Sequence, residues 1–80
     1  MAQDRSIAIT TDYITLDQAM KLASMVGSGG EAKTAILAER VTVNGVVETR
    51  RGKKLRAGDV FGFNGLSVQV AVASLPQRNE

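Results

Sequence analysis

Residues Arg50-Arg51-Gly52-Lys53-Lys54-Leu55-Arg56 place five cations in seven positions with no anion among them. The guanidinium fork matches two oxygens of a phosphate, and lysine adds a mobile point charge. Gly52 lets the backbone bend there or come close to a ligand. A solvated loop with surplus charge is the plainer reading of any isolated basic run. This one, however, lies between a hairpin signal and a strand signal rather than in a tail. Self-repulsion inside a folded domain is a cost that a polyanion would offset.

A second group lies upstream, in Gly27-Ser28-Gly29-Gly30-Glu31-Ala32-Lys33-Thr34. Gly27, Lys33 and Thr34 fall where the phosphate-cradling loop G-x-x-x-x-G-K-[ST] has them, but Ala32 occupies its second fixed glycine. That loop also follows a buried strand, whereas a helical pattern precedes this one. The nucleotide-hydrolase reading is therefore set aside. Two readings stay open. One is a tight connector between helices, with Ser28 as a cap. The other is an anion site, made by exposed N–H groups and the positive dipole end of a helix with Lys33 nearby. Glu31 competes locally with such an anion.

Composition narrows the chemistry. The 80 residues contain no cysteine and no histidine, which removes disulfides, the usual zinc ligands, the commonest general base and the cysteine nucleophile. A chain of this size predicts one domain over residues 1–80 with a thin core. Net charge is only +2, yet Lys33 to Arg56 carries +5 and the remainder −3. Such segregation creates a local positive field on a nearly neutral protein. The first residues carry both charge signs without an apolar stretch and do not read as a signal peptide, so a cytoplasmic location is expected.

The elements that must position these groups follow from periodicity. Residues 1–6 are expected to fray, and Ile7 to Tyr13 reads as a short strand. Thr15 to Val26 has Leu16, Ala19, Met20, Ala23 and Val26 at helical spacing, a Thr15–Gln18 capping box, an Asp17–Lys21 pair and Gly27 as its stop. Ser28 and Glu31 repeat the capping spacing before a second helix that runs to about Glu39. Asn44-Gly45 and Asn64-Gly65 each separate two β-rich runs, the signature of a type I′ hairpin. Val41–Val43, Val46-Val47, Val60–Phe63 and Leu66–Val72 are the strands, and Pro76 opens a loose tail over about 75–80. The expected fold class is α+β, with two helices packed on a small, mostly antiparallel sheet of short strands in the order β-α-α-β-β-β-β.

Taken together, Thr15-Leu16-Asp17, the Ser28–Lys33 turn, Val41-Thr42-Val43-Asn44-Gly45 and Gly58-Asp59-Val60 resemble the S-four RNA-binding domain. The Arg50–Leu55 stretch and the length look like its small stand-alone bacterial branch, YbcJ/YaaA-like. The resemblance covers about Tyr13 to Val72. It implies an alpha-L motif whose RNA-binding surface would comprise Ser28, Gly29, Gly30, Lys33, Asn44, Arg50, Arg51, Lys53 and Lys54. Thr15 and Gly29-Gly30 stand where many members carry arginine, so the helix-borne positive charge is lower than the family pattern.

The expected function is non-enzymatic recognition of structured RNA, double-helical or junction, ribosomal or transfer. Phosphate and shape contacts would carry it, because Tyr13, Phe61 and Phe63 are the chain's only aromatics. The ribosome is a candidate partner, and no cofactor, metal, membrane or small-molecule substrate is expected. One rival is a protein-interaction module whose basic loop docks on an acidic partner. The other is an enzyme using Asp12, Asp17 or Asp59 with a hard metal, for which no convergent pair is visible.

Overall fold

The computed structural model describes residues 3–73. The expected tail over 75–80 lies outside the described residues. Strand β1 spans Gln3–Ile9 and β2 Ile14–Thr15. Helices α1 (Leu16–Leu22) and α2 (Gly29–Leu37) follow. Strands β3 (Val41–Val43), β4 (Val46–Val47), β5 (Lys54–Leu55), β6 (Val60–Phe63) and β7 (Leu66–Val72) complete the order. Five strands form one sheet in the order β1-β7-β6-β3-β4, and β2 pairs with β5 in a separate antiparallel ribbon.

The sheet is antiparallel except at one edge, where β1 runs parallel to β7 with Ile7 opposite Val70. Alternation sets its inner face. Ile7, Ile9, Val41, Val43, Phe61, Val68 and Val70 are buried, while Ala8, Ser67 and Gln69 between them face solvent. Leu16, Ala19, Met20 and Ala23 from the α1 segment, with Ala32, Ala35 and Ile36 from α2, cover that face. Leu55 closes the core from the ribbon. Val72, at the end of β7, is exposed.

Both Asn-Gly pairs turn as their chemistry requires. Asn44 and Gly45 have φ of 52° and 85°, Asn64 and Gly65 of 54° and 79°. Positive φ at both central positions is the type I′ geometry whose twist matches the flanking strands.

Three expectations are corrected. β1 begins at Gln3, not Ile7, because β7 supplies a parallel partner along its whole length. The first helix stops at Leu22, four residues before Val26. Met25 and Val26 still pack on the core, but from the turn and link that follow the helix. The Thr15–Gln18 capping box does not form. Thr15 Oγ1 donates to Asp17 Oδ1 at 2.7 Å, and the same oxygen accepts from the Gln18 N–H at 2.8 Å. With its carboxylate engaged there, Asp17 makes no ion pair with Lys21 among the described residues.

Both helices end in the same way. The Ser24 N–H donates to the Lys21 carbonyl and the Met25 N–H to that of Met20. Glu39 and Arg40 repeat this on Ile36 and Ala35. These are Schellman motifs, and each needs a left-handed residue, here Ser24 at φ 61° and Glu39 at φ 63°. A side chain in that region costs about 1–2 kcal/mol, part of which glycine would recover despite its larger unfolded-state entropy. Glu39→Gly is expected to stabilise the fold by about 0.5–1 kcal/mol. That corresponds to a thermal midpoint higher by roughly 2–8 °C for a domain of this size. An unchanged or lowered midpoint in a calorimetric scan would contradict this account of the helix ends.

Candidate nucleic-acid interface

The basic run leaves β4 through Glu48 and folds into a turn closed by the Lys53 N–H on the Arg50 carbonyl at 3.1 Å. Its backbone then meets α1. The Lys53 carbonyl accepts from the Leu16 N–H at 2.8 Å, and the Arg51 carbonyl from the Asp17 N–H at 3.1 Å. A helix start leaves its first N–H groups without partners. Here a distant loop, and not the local Thr15 side chain, satisfies two of them. The cost of holding like charges together is thus offset by bonds that use none of the cationic side chains.

Two carboxylates fasten the loop's ends. Glu48 accepts from the Arg50 N–H at 3.1 Å and from Arg50 Nε at 2.9 Å. Glu48 is 13% exposed and Arg50 72%, so the pair puts its anion underneath. Those bonds from Arg50, first from its side chain, hold the Glu48 carboxyl below its usual range. At the other end Asp59 accepts from the Arg56 N–H at 2.8 Å and from Asn44 Nδ2 at 3.1 Å. Both bonds, the Arg56 amide first, push its carboxyl down as well. Asn44 Oδ1 in turn accepts from the Val60 N–H at 3.0 Å, and the Asn44 N–H donates to the Val60 carbonyl at 2.6 Å. The left-handed Gly58, at φ 99°, makes the bend that brings Asp59 back to Asn44.

The expected residues therefore fall into three places. Arg50, Arg51, Lys53 and Lys54 share the fastened loop. Arg51, Lys53 and Lys54 make no ion pair among the described residues, whereas Arg50 is tied to Glu48. Gly52 has ordinary φ and nothing near its missing Cβ, so neither conformation nor protein crowding demands glycine there. Asn44 braces the end of the loop, with both ends of its amide committed to the protein. Ser28, Gly29, Gly30 and Lys33 form the start of α2. There the Ser28 hydroxyl accepts from the Glu31 N–H at 3.2 Å, and Glu31 Oε1 accepts from the Gly27 N–H at 2.6 Å. That cap was legible from spacing, although the carboxylate reaches one residue further back than the capping box prescribes.

The basic loop is fastened at the amino end of α1, not of α2. The start of α1, where the loop is fastened, and the start of α2, where the second group lies, are separated by α1, seven residues or about 10 Å long, and its link. A shallow groove beside α2, lined by Ser28, Gly30, Thr34, Ala38 and Arg40, continues the second group. Two residues beside the loop, Arg56 and Tyr13, are not among the residues expected for the surface. Lys54 Nζ lies 4.9 Å and the Arg56 guanidinium carbon 5.9 Å from the Tyr13 ring centre. The alternation of Lys54-Leu55-Arg56 against Tyr13-Ile14-Thr15 was the available signal, had the two been recognised as paired strands. Among the described residues, no three acidic side chains gather as a metal site, and no helix is long and apolar enough to cross a membrane.

Two short helices joined by a tight link, then a hairpin braced against a cationic loop, define a small α+β module of the alpha-L class. The chain belongs to the S4 domain family, whose model matches residues 7–71. The "Probable ribosome maturation protein RlbA" of Bacillus subtilis (strain 168) is 46% identical over 59 residues, 74% of this chain and 83% of that protein. YbcJ of Escherichia coli (strain K12) is 43% identical over 58 residues, 72% of this chain and 83% of its own. The solution structure of YbcJ, described as revealing an alpha-L motif involved in RNA-binding, superposes with a TM-score of 0.63. It is 38% identical and covers 86% of each chain.

The lowered Asp59 and Glu48 carboxyls bind protons less readily when folded than when unfolded. Their stabilisation is therefore present above the unfolded values, about 3.9 and 4.3, and is lost as pH falls through the folded ones. Stability should be level between about pH 5 and 7 with respect to these groups and drop below about pH 4. Asp59→Asn should weaken that acid dependence and lower the neutral-pH midpoint. Because they share a hydrogen bond, Asn44→Ala and Asp59→Asn should be less than additive in combination. Strict additivity in chemical denaturation would show that the clamp does not act as a unit.

Proposed function

We propose that this chain is a non-enzymatic RNA-binding protein that recognises structured RNA, double-helical or at a junction, through phosphate-backbone and shape contacts. The observation that carries the proposal is the cationic turn at Arg50–Lys54, held by its carbonyls and by the Glu48 carboxylate so that the side chains of Arg51, Lys53 and Lys54 make no ion pair among the described residues. Membership of the S4 domain family and the likeness to the alpha-L motif of YbcJ support it.

In this reading residues 13–72 carry the motif. Arg50, Arg51, Lys53 and Lys54 meet phosphates of one strand. Lys33 and the Ser28–Gly29–Gly30 turn take a neighbouring phosphate at the start of α2, where the dipole favours an anion. Asn44 belongs to the surface as the brace at the end of the loop. The name of the Bacillus subtilis relative points to ribosome maturation, which supports ribosomal over transfer RNA as the ligand and a cytoplasmic site of work in this reading.

Four to six phosphate contacts predict a log–log salt slope of about −3 to −5 for binding to an RNA hairpin. Replacing Arg50, Arg51, Lys53 and Lys54 together by alanine should remove most of the affinity and flatten the slope by about one unit for each phosphate no longer held. The fold should survive, because the bonds to Leu16 and Asp17 come from the loop's backbone. Salt-independent binding, or full affinity in the quadruple variant with an unchanged melting profile, would refute the assignment. Equal affinity for polyglutamate would favour an acidic protein partner instead.

A further inference from the structure

The β2–β5 ribbon sorts its side chains by alternation. Ile14 and Leu55, opposite each other, turn inward and join the core. Thr15 and Lys54, the next pair, take the other face. Continuing the antiparallel register by one residue sets Tyr13 opposite Arg56 on that same outward face. The chain at Tyr13 is held from behind, where Thr11 Oγ1 donates to the Tyr13 carbonyl at 2.7 Å. Tyr13 is 40% exposed, with Lys54 Nζ 4.9 Å and the Arg56 guanidinium carbon 5.9 Å from its ring centre. It also borders a shallow recess with Thr11, Asp12 and Gln18. An aromatic thus stands at the edge of the cationic surface, steadied by two of its cations.

We propose that Tyr13 is a stacking position of this surface, taking the face of one unpaired nucleobase next to the phosphates held by Lys54 and Arg56. The inference rests on the RNA-binding reading and adds a contact with a base to it. Charge-assisted bonds to phosphate are stronger than the attraction of an exposed cation to an aromatic face. Arriving phosphates therefore draw Lys54 and Arg56 off the ring and uncover it. A base beside those phosphates can then stack on a platform that every nucleobase fits. A fully paired helix presents no such base. The surface should accordingly prefer a helix interrupted by an unpaired nucleotide over a continuous one, with the phosphate contacts common to both.

The test uses the full chain and two RNA hairpins of equal nucleotide count, one with a fully paired stem and one with a single-nucleotide bulge. The parent should bind the bulged hairpin roughly 5- to 100-fold more tightly, at similar salt slopes. Tyr13→Phe should keep that preference. Tyr13→Leu should lose it while retaining affinity for the paired hairpin. The chain contains no tryptophan, so Tyr13→Trp introduces a single indole that can be excited beyond the RNA absorption band. Its emission should be quenched by the bulged hairpin and little changed by the paired one. Equal, salt-dependent binding of both hairpins, or a preference that survives in Tyr13→Leu, would overturn the stacking role and leave the RNA-binding reading standing. Failure of both hairpins to bind at low salt would overturn the two together.

Discussion

Five cations within seven residues repel one another, and the rest of the interface depends on how that repulsion is held in check. The fold does it through the backbone. Carbonyls of Arg51 and Lys53 meet the free N–H groups that begin α1, so a helix start and a charged turn satisfy each other. Neither would be well defined alone. A seven-residue helix is too short to persist in isolation, and a loop of like charges prefers to spread. Arg50 alone of these cations is paired, with Glu48; were the loop held throughout by salt bridges from its own side chains, the same groups could not also serve a ligand.

Two of the motifs that suggested a family are, in the structure, parts of one clamp. Asn44-Gly45 turns the β3–β4 hairpin, and Gly58-Asp59-Val60 opens β6 fifteen residues later. The Asn44 amide joins them by bonding Asp59 with its nitrogen and Val60 with its oxygen. Asp59 also fixes the end of the basic run through the Arg56 N–H, and its carbonyl accepts from Val70 of β7. The Arg56 end of the cationic segment is thereby anchored to the sheet. Asparagine and aspartate at these positions are explained by bonds within the protein, whatever the surface above them binds.

Local chemistry in the sequence was read correctly where the cause itself is local. Positive φ at Asn44-Gly45 and Asn64-Gly65, and the Ser28 cap of α2, depend on neighbours only a few residues away. Most of the errors have the opposite cause. β1 extends back to Gln3 because of a strand more than sixty residues on. The first two N–H groups of α1 are taken by carbonyls of Lys53 and Arg51, which no local spacing could announce, although the Thr15–Gln18 box itself gave way to a local rival, the Asp17 carboxylate. Met25 and Val26 continue the apolar period of α1 because the core needs them, while Ser24 has already ended the helix. For the surface, the cations were plain from composition. Their seat at α1, and the pairing that brings Tyr13 to Lys54 and Arg56, required the two-residue strands β2 and β5, too short to leave a pattern.

Net charge says little about such a surface, whereas the depth of each charge says much. The basic segment contains Glu48, and Asp59 adjoins it, so a simple count would blunt its field. Both carboxylates, however, are half-buried beneath the loop and face backbone N–H groups, while Arg50, Arg51, Lys54 and Arg56 are exposed above them. At physiological salt a field decays over about 8 Å, so an approaching polyanion weighs the nearer charges more heavily than those behind. The carboxylates act downward, on the amides that define the turn, and the cations act outward. A nearly neutral protein can in this way present a strongly positive face without the self-repulsion that a uniformly basic chain would carry through a core this thin.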